Sequence, residues 1–280
     1  RCWRAAGHDT FAVTRSSTKA RELEAEGIRP LVFDITESVE LPAEQPFETV
    51  LFAVGFDRSP KMAIYDVFVG ALRRILDSLG SVTARLIHIS STGVYGQRDD
   101  EWVDEDSPCN PRRKGGLACL AAERTLVAHP LSHRSIILRL AGIYGPHRIP
   151  RLRDLRAGKP VAVPRDGYLN LIHVNDVVRV ILAAERRAKP PCVYAVADGR
   201  PVMRRDFYAE AARLLNAPIP RFENPDPASA SAQRAISSKR IRNARMMHDL
   251  ALTLQYPCYK EGLAAIAARE SSSHEPGLVT

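Results

Sequence analysis

Leu86 to Gly96 reads LIHISSTGVYG, an apolar run that leads straight into a Ser-Ser-Thr-Gly turn. The run predicts a strand, and the turn presents hydroxyls at its carboxyl end. In an open parallel sheet that end is where ligands bind. Around this strand, short β-rich runs alternate with helical patterns: TFAVT from Thr10, a helix over Ala20 to Gly27, PLVFDI from Pro30, TVLFAVG from Thr49, then a long helix. That helix has Ser59 as cap, Pro60 in its first turn, and Tyr65, Phe68, Leu72, Ile75, Leu76 and Leu79 at helical spacing before Gly80. The stripe predicts core packing. The alternation predicts an α/β fold with a parallel sheet covered on both faces.

With 280 residues, 45% hydrophobic content and no apolar run near the length of a membrane span, the chain can bury a sizeable core without crossing a membrane. Cys2, Cys109, Cys119, Cys192 and Cys258 stand far apart without metal-ligand spacing. Reduced thiols, a cytoplasmic location and no metal site are the expectation. The formal charge of +8 is dispersed, with short clusters only at Arg112 to Lys114 and Lys239 to Arg245. No nucleic-acid recognition motif accompanies it, so a small anionic ligand or a solvated surface is expected instead.

Two later segments keep the order of a known family: Arg139 to Pro146 (RLAGIYGP) and Leu169 to Val178 (LNLIHVNDVV). With LIHISSTGVYG they resemble the extended short-chain dehydrogenase/reductases, the NAD-dependent epimerase/dehydratase class, over residues 5 to 265. The resemblance implies a Rossmann-like doubly wound parallel sheet over residues 1–150 and a smaller C-terminal substrate lobe over 151–280. Residues 172–197 are expected to pack back on the first unit. The family's first strand and Gly-rich turn do not precede Thr10, where CWRAAGHD already reads as a helix end. The expectation is of a fragment or of a start placed too late, in preference to a fold that has genuinely lost this unit, because the lost strand would be central in the sheet. If the chain is complete without a Gly-rich turn, cofactor affinity is expected to fall severely or vanish.

In that family Ser, Tyr and Lys form the reaction site. Ser91 matches the Ser, whereas aligning GLACLAAERTLV (Gly116 to Val127) puts Gly115 in the Tyr slot and Cys119 in the Lys slot. The chain therefore resembles an atypical member without the dyad. Thr92 and Gly93 stand where sugar-nucleotide dehydratases carry acids, which argues against that elimination chemistry. Tyr144, His173 and Tyr168 are the candidate substitutes for the missing Tyr, His173 more as a structural hydrogen-bonder. Tyr256 to Lys260 has the Tyr-x-x-x-Lys spacing but contains Pro257 and lies near the C-terminus, so it is read as coincidence. Asn110 and Lys114 share the spacing, and Lys114 is a candidate ribose or phosphate contact or a solvated loop charge.

The resemblance further implies a dinucleotide at the strand ends. Arg15 and Ser16 close the second strand of the family pattern, where an Arg accommodates a 2'-phosphate, so NADP is favoured with NAD as the alternative. A surface Arg after a strand is the competing reading. Asp34 and Ile35 close the next strand near the expected adenine, and Ala53, Val54 and Gly55 the next, where small residues admit a cofactor. Ser90 is a further candidate cofactor contact. Thr92, Tyr144, Arg240 and Asn243 are candidate substrate contacts, the last two from SSKRIRNAR, which suits an anionic partner. The expected partner is thus a small polar or anionic metabolite, and the family often pairs core helices into homodimers. Two functions remain open: an NAD(P)-dependent oxidoreductase or epimerase, or a dinucleotide sensor that lost catalysis. Glu223 to Ala232 is expected to be a flexible loop, and SSSHEPGLVT at the end to be disordered.

Overall fold

In the computed structural model, described for residues 1–42, 46–56, 63–79, 83–226, 229, 232 and 237–272, the chain alternates strands and helices as the hydrophobic pattern predicts. A single turn, α1 (Cys2–Ala5), closes at Gly7 with φ +88° and leads into β1 (Phe11–Thr14). The hydroxyl of Ser16 accepts from the Lys19 amide and starts α2 (Ser17–Ala25). Gly27, at φ +73°, turns the chain into β2 (Arg29–Val32), and β3 (Thr49–Phe52) follows. Helix then runs through a π-turn at Asp66–Gly70 into α3 (Ala71–Ser78). The rest of the first half is β4 (Arg85–Ser91), β5 (Glu101–Val103), α4 (Lys114–Ala128), β6 (Ser135–Leu140) and β7 (Gly142–Tyr144).

Beyond it come α5 (Leu152–Arg156), β8 (Val161–Ala162), β9 (Tyr168–Leu169), β10 (Leu171–His173), α6 (Val174–Arg187), β11 (Cys192–Val196), β12 (Val202–Met203), α7 (Arg204–Leu214), β13 (Phe222–Glu223), β14 (Lys239–Ile241), α8 (Ala244–Asp249) and α9 (Tyr259–Ser272). The central sheet is parallel throughout, in the order β11-β6-β4-β3. Its pleat sends Leu86 and Ile137 toward α3 and α4, where Leu72, Ile75, Leu76 and Leu126 meet them. Ile87, Ile136 and Leu138 point the other way, against Val177 and Val180 of α6 and Met246 of α8. Burial on both faces is why these strands read as continuous apolar runs. The protein is an α/β fold with a Rossmann-like parallel sheet.

β1 and β2 form their own parallel pair. A cavity of about 1350 Å³ separates them from β3. A second core, built on Tyr144, Leu155, Val161, Phe207, Tyr208 and Leu263, lies under the C-terminal segments. β10 joins β7, and β14 pairs with β5 of the first half, so the C-terminal segments are fastened to the first half at two places.

Tyr65 does not belong to the core stripe, being 44% exposed. The π-turn after it holds more residues per turn and rotates the preceding residues off the face set by Leu72, Ile75 and Leu76. The expected cap Ser59, Pro60 and the terminal Gly80 lie outside the described residues, as does much of the loop expected over 223–232. The tail expected to be disordered begins as helix, because α9 runs to Ser272; residues 273–280 lie outside the described residues. No described helix is long and apolar enough to cross a membrane.

Asp198 lies at the lobe junction just after β11, with its amide donating to Leu171. One carboxylate oxygen accepts from the Arg200 amide, and the other has no hydrogen-bond partner among the described residues. Burial pushes this carboxyl up to about 7. Because its folded-state pKa lies above the unfolded value, ionisation opposes folding. The Asp198 contribution to stability is expected to be largest below about pH 4, to fall as pH rises toward 7, and then to level off, a total change on the order of 4 kcal/mol. Urea midpoints across that range should show the slope, and Asp198→Asn should flatten it; an unchanged slope in the variant would assign it to other groups.

Candidate active site

Ser91 ends β4 in extended backbone, and its hydroxyl oxygen accepts from the Gly93 amide at 3.0 Å. One 3-10 turn, Thr92–Val94, follows, with the Tyr95 amide returning to the Thr92 carbonyl. Thr92, Val94 and Tyr95 are buried, whereas Ser91 stays half-buried. Of the hydroxyls in the Ser-Ser-Thr run, Ser91 is the one left partly open to a ligand.

Ser90, a candidate cofactor contact from sequence, points to the other side. It donates to Glu123 of α4 beneath the sheet and is 5% exposed, so it braces the fold and does not face a ligand. Glu123 in turn receives Arg139 of β6 through Nη2 at 2.8 Å and Nε at 3.1 and 3.2 Å. Arg139 Nη1 also donates to the Tyr95 hydroxyl at 3.0 Å, and the guanidinium lies 5.2 Å from that ring. Burial pushes the Tyr95 phenol up to about 12, so it stays protonated at neutral pH.

The amino end of α4 abuts the same turn. A Cβ on Gly116 would stand 2.2 Å from the Gly93 carbonyl oxygen, so only glycine permits this approach. Gly115, in the Tyr slot, faces open space: its Cβ would come no nearer than 4.0 Å to Ile64. Cys119, in the Lys slot, packs beside the junction core, and burial pushes its thiol up to about 11. Neither slot supplies an acid or base that works at neutral pH. Lys114 opens α4 exposed, and Asn110 contributes its backbone to the close passage at Gly96.

Two cations approach the turn. Arg113, at the cap position of α4, places Nη2 3.1 Å from the point where a Gly93 Cβ would stand, and Ser91 Oγ is 3.2 Å from that point. Lys239 of β14, 7% exposed, donates to the Tyr95 carbonyl at 3.1 Å and to Ser237 Oγ at 2.8 Å. Burial, then the nearby Arg113, pushes the Lys239 ammonium down to about 8. The sequence presents Arg113 only as one of a basic triplet; its position two residues ahead of the Tyr slot is the signal that could have singled it out.

The large cavity gathers six of the strand-end residues expected around a dinucleotide: Arg15, Asp34, Ile35, Ala53, Val54 and Gly55. Ser16 is not among its lining, because its hydroxyl caps α2. Asp34 accepts from the amide and hydroxyl of Thr36, which hold its carboxyl below the usual range, and lies 3.5 Å from Arg15. Arg15 remains 60% exposed.

The second-lobe candidates are placed differently from the expectation. Tyr144 is 1% exposed in the lobe core, stacked edge-on against His173 and crossed by Gly262, so it packs and does not meet substrate. Burial also pushes its phenol far up. Asn243 donates to the Ala197 carbonyl at 2.8 Å and secures the turn at Gly199. Arg240 lies over Trp102 and Tyr168 and donates to the Asp100 carbonyl, which ties β14 to β5. His173 caps α6 through the Asn175 amide, and Tyr256 stacks on it at 4.0 Å. Among the described residues, no group of three or more His, Cys, Asp or Glu could hold a metal ion.

Comparison with known proteins is decided by one match: the model of the NAD dependent epimerase/dehydratase family covers residues 1–197. The chain belongs to that family. Protein YeeZ of Escherichia coli (strain K12) is 32% identical over 194 residues, 69% of this chain and 66% of its own length, so the match spans just under two thirds of that relative. A solved protein from Silicibacter pomeroyi, described as conserved and of unknown function, is 28% identical with TM-score 0.79, covering 96% of this chain and 93% of that one. MoeE5, solved with UDP-glucose and NAD, shares the fold at 22% identity and TM-score 0.72, covering 97% and 93%. In this epimerase/dehydratase-family chain the Glu123–Arg139 pair lies directly under the candidate site. Replacing Glu123 by Gln strands a buried guanidinium and is expected to cost about 3–5 kcal/mol in urea unfolding. A double variant with Arg139→Met should recover much of the loss; a single-variant loss within the error of the measurement would refute the bracing role.

Proposed function

We propose that this chain is a nicotinamide-dinucleotide-binding oxidoreductase or epimerase of the atypical extended short-chain type, acting on a polar metabolite whose reacting oxygen Ser91 orients. The observation that carries the reading is that Arg15, Asp34 and Ala53 to Gly55, which follow β1, β2 and β3, line the carboxyl end of one cavity that runs the length of β1 and β3, beside the sheet whose β4 ends at Ser91. Carboxyl ends of parallel strands are where this architecture binds ligands. Membership of the family supports the same reading.

The residues fit the adenosine half of such a cofactor. Ala53 and Val54 offer little bulk, a Cβ on Gly55 would meet nothing within 4 Å, and Arg15 projects an exposed guanidinium suited to a 2'-phosphate. Among the described residues no Gly-rich turn supplies a pyrophosphate seat. When bound, a nicotinamide dinucleotide supplies hydride transfer. The chain's own contribution is the Ser91 hydroxyl, free to donate while its oxygen accepts from Gly93. Without an acid/base at residue 115, turnover loses roughly 10² to 10⁴ relative to a full Ser-Tyr-Lys site. Gly115 and Cys119 are also the specific observation favouring the second reading, a dinucleotide-binding sensor without catalysis.

Fluorescence titration with NADPH and NADH, on protein with any upstream coding residues restored, tests the dinucleotide under both readings. NADPH is expected to bind more tightly, and Arg15→Asp should weaken it about tenfold or more, the loss of one charge-assisted contact, while sparing NADH. Binding of neither nucleotide would overturn the proposal.

A further inference from the structure

We infer that Arg113 and Lys239 form an anion-binding pair beside Ser91, which seats a phosphate or carboxylate group of the substrate. This deepens the functional reading above and rests on it for the word substrate; the site itself stands on its own geometry. Arg113 and Ser91 Oγ converge on one point above Gly93, each within 3.2 Å of it. Lys239 grips the same turn two residues on, through the Tyr95 carbonyl. The two cations come from different lobes, one from the cap of α4 and one from β14, so the pair spans their junction.

Their donor inventory points outward. Lys239 places two of its three N–H groups on Tyr95 and Ser237, which leaves one. Arg113 is half-buried, and none of its five donors meets an acceptor among the described residues. No described carboxylate pairs with either side chain, although the chain forms such pairs freely elsewhere, for example at Arg245 with Asp106 and Arg139 with Glu123. Two desolvated like charges held on one turn repel, and the arrangement is relieved by an anion between them. The Tyr slot two residues after Arg113 holds only Gly115, where an added Cβ would meet no described atom nearer than Ile64 at 4.0 Å.

The test uses inorganic phosphate and acetate as probes on the whole chain, against sodium chloride at equal ionic strength, with thermal unfolding as the readout. Wild type should gain stability from one or both probes beyond chloride, and the stronger probe names the group. Arg113→Gln, at a partly exposed position that should fold normally, should lose about tenfold or more in probe affinity, and Arg113→Lys should keep part of it. Lys239→Gln should show the same loss if it folds. Equal stabilisation of wild type and Arg113→Gln, or no stabilisation beyond chloride by either probe, would overturn the pair. NADPH affinity should be unchanged in Arg113→Gln. Arg113-dependent phosphate binding in a protein that binds no dinucleotide would uphold the anion site while removing the oxidoreductase reading.

Discussion

The buried ion pair between Glu123 and Arg139 is the interaction on which the geometry of the site depends. It joins α4 to β6, takes in Ser90 from β4 and Tyr95 from the turn, and leaves little of either side chain exposed. Such a pair is not expected to add net stability over a well-packed apolar contact, because desolvating two charges offsets most of their attraction. What it does is fix one arrangement. A helix packed on a sheet by leucines alone can slide by fractions of a turn, whereas a bidentate pair with a third and fourth partner has one register. That register sets α4 at the depth where Gly116 meets the Gly93 carbonyl.

From that depth the chemistry of the site follows. Residue 115 looks into space beside the Ser91 turn, so the missing phenol reflects the residue chosen there and not a steric refusal. Two adjacent glycines in the first turn weaken a helix by about 1 kcal/mol each, and close packing explains only the second of them. Charge stands near the place where the dyad would be. Arg113 cannot transfer a proton at neutral pH, and Lys239 spends its ammonium on the Tyr95 carbonyl and Ser237, but the two can hold an oxyanion, so the site trades the Tyr phenol for binding of charge.

The parallel sheet, the helix-strand alternation and the position of Ser91 at a strand's end were legible because periodicity and turn chemistry are local properties of LIHISSTGVYG and its neighbours. Glu123 and Arg139 were visible only as parts of two motifs, with no sign that they touch. The residues misread share one cause. Ser90, Tyr144 and Asn243 lie beside ligand-facing positions in sequence, but strand alternation, lobe packing and a turn carbonyl turn each inward. A single residue along a strand exchanges solvent for core, and spacing alone cannot say which face the lobes will cover. Lys239 and Arg113 were hidden for the opposite reason: basic residues in Arg-rich segments read as solvated until β14 pairs with β5 and draws Lys239 under the turn.

The two ends of the proposed site stand on scaffolds of unequal strength. Ser91 ends β4, a strand paired on both sides by β3 and β6 and covered by helices on both faces. The dinucleotide end rests on β1 and β2, four residues each, whose ladder joins no other strand among the described residues. Two short parallel strands are marginal by themselves. They are held by α2, by the edge contact of Phe11 with Phe47, and by Trp3 donating to Glu185 across the cavity. A ligand bound against these strands adds its binding free energy to the folded state by mass action, and its contacts bear on the end of the site with the fewest sheet partners.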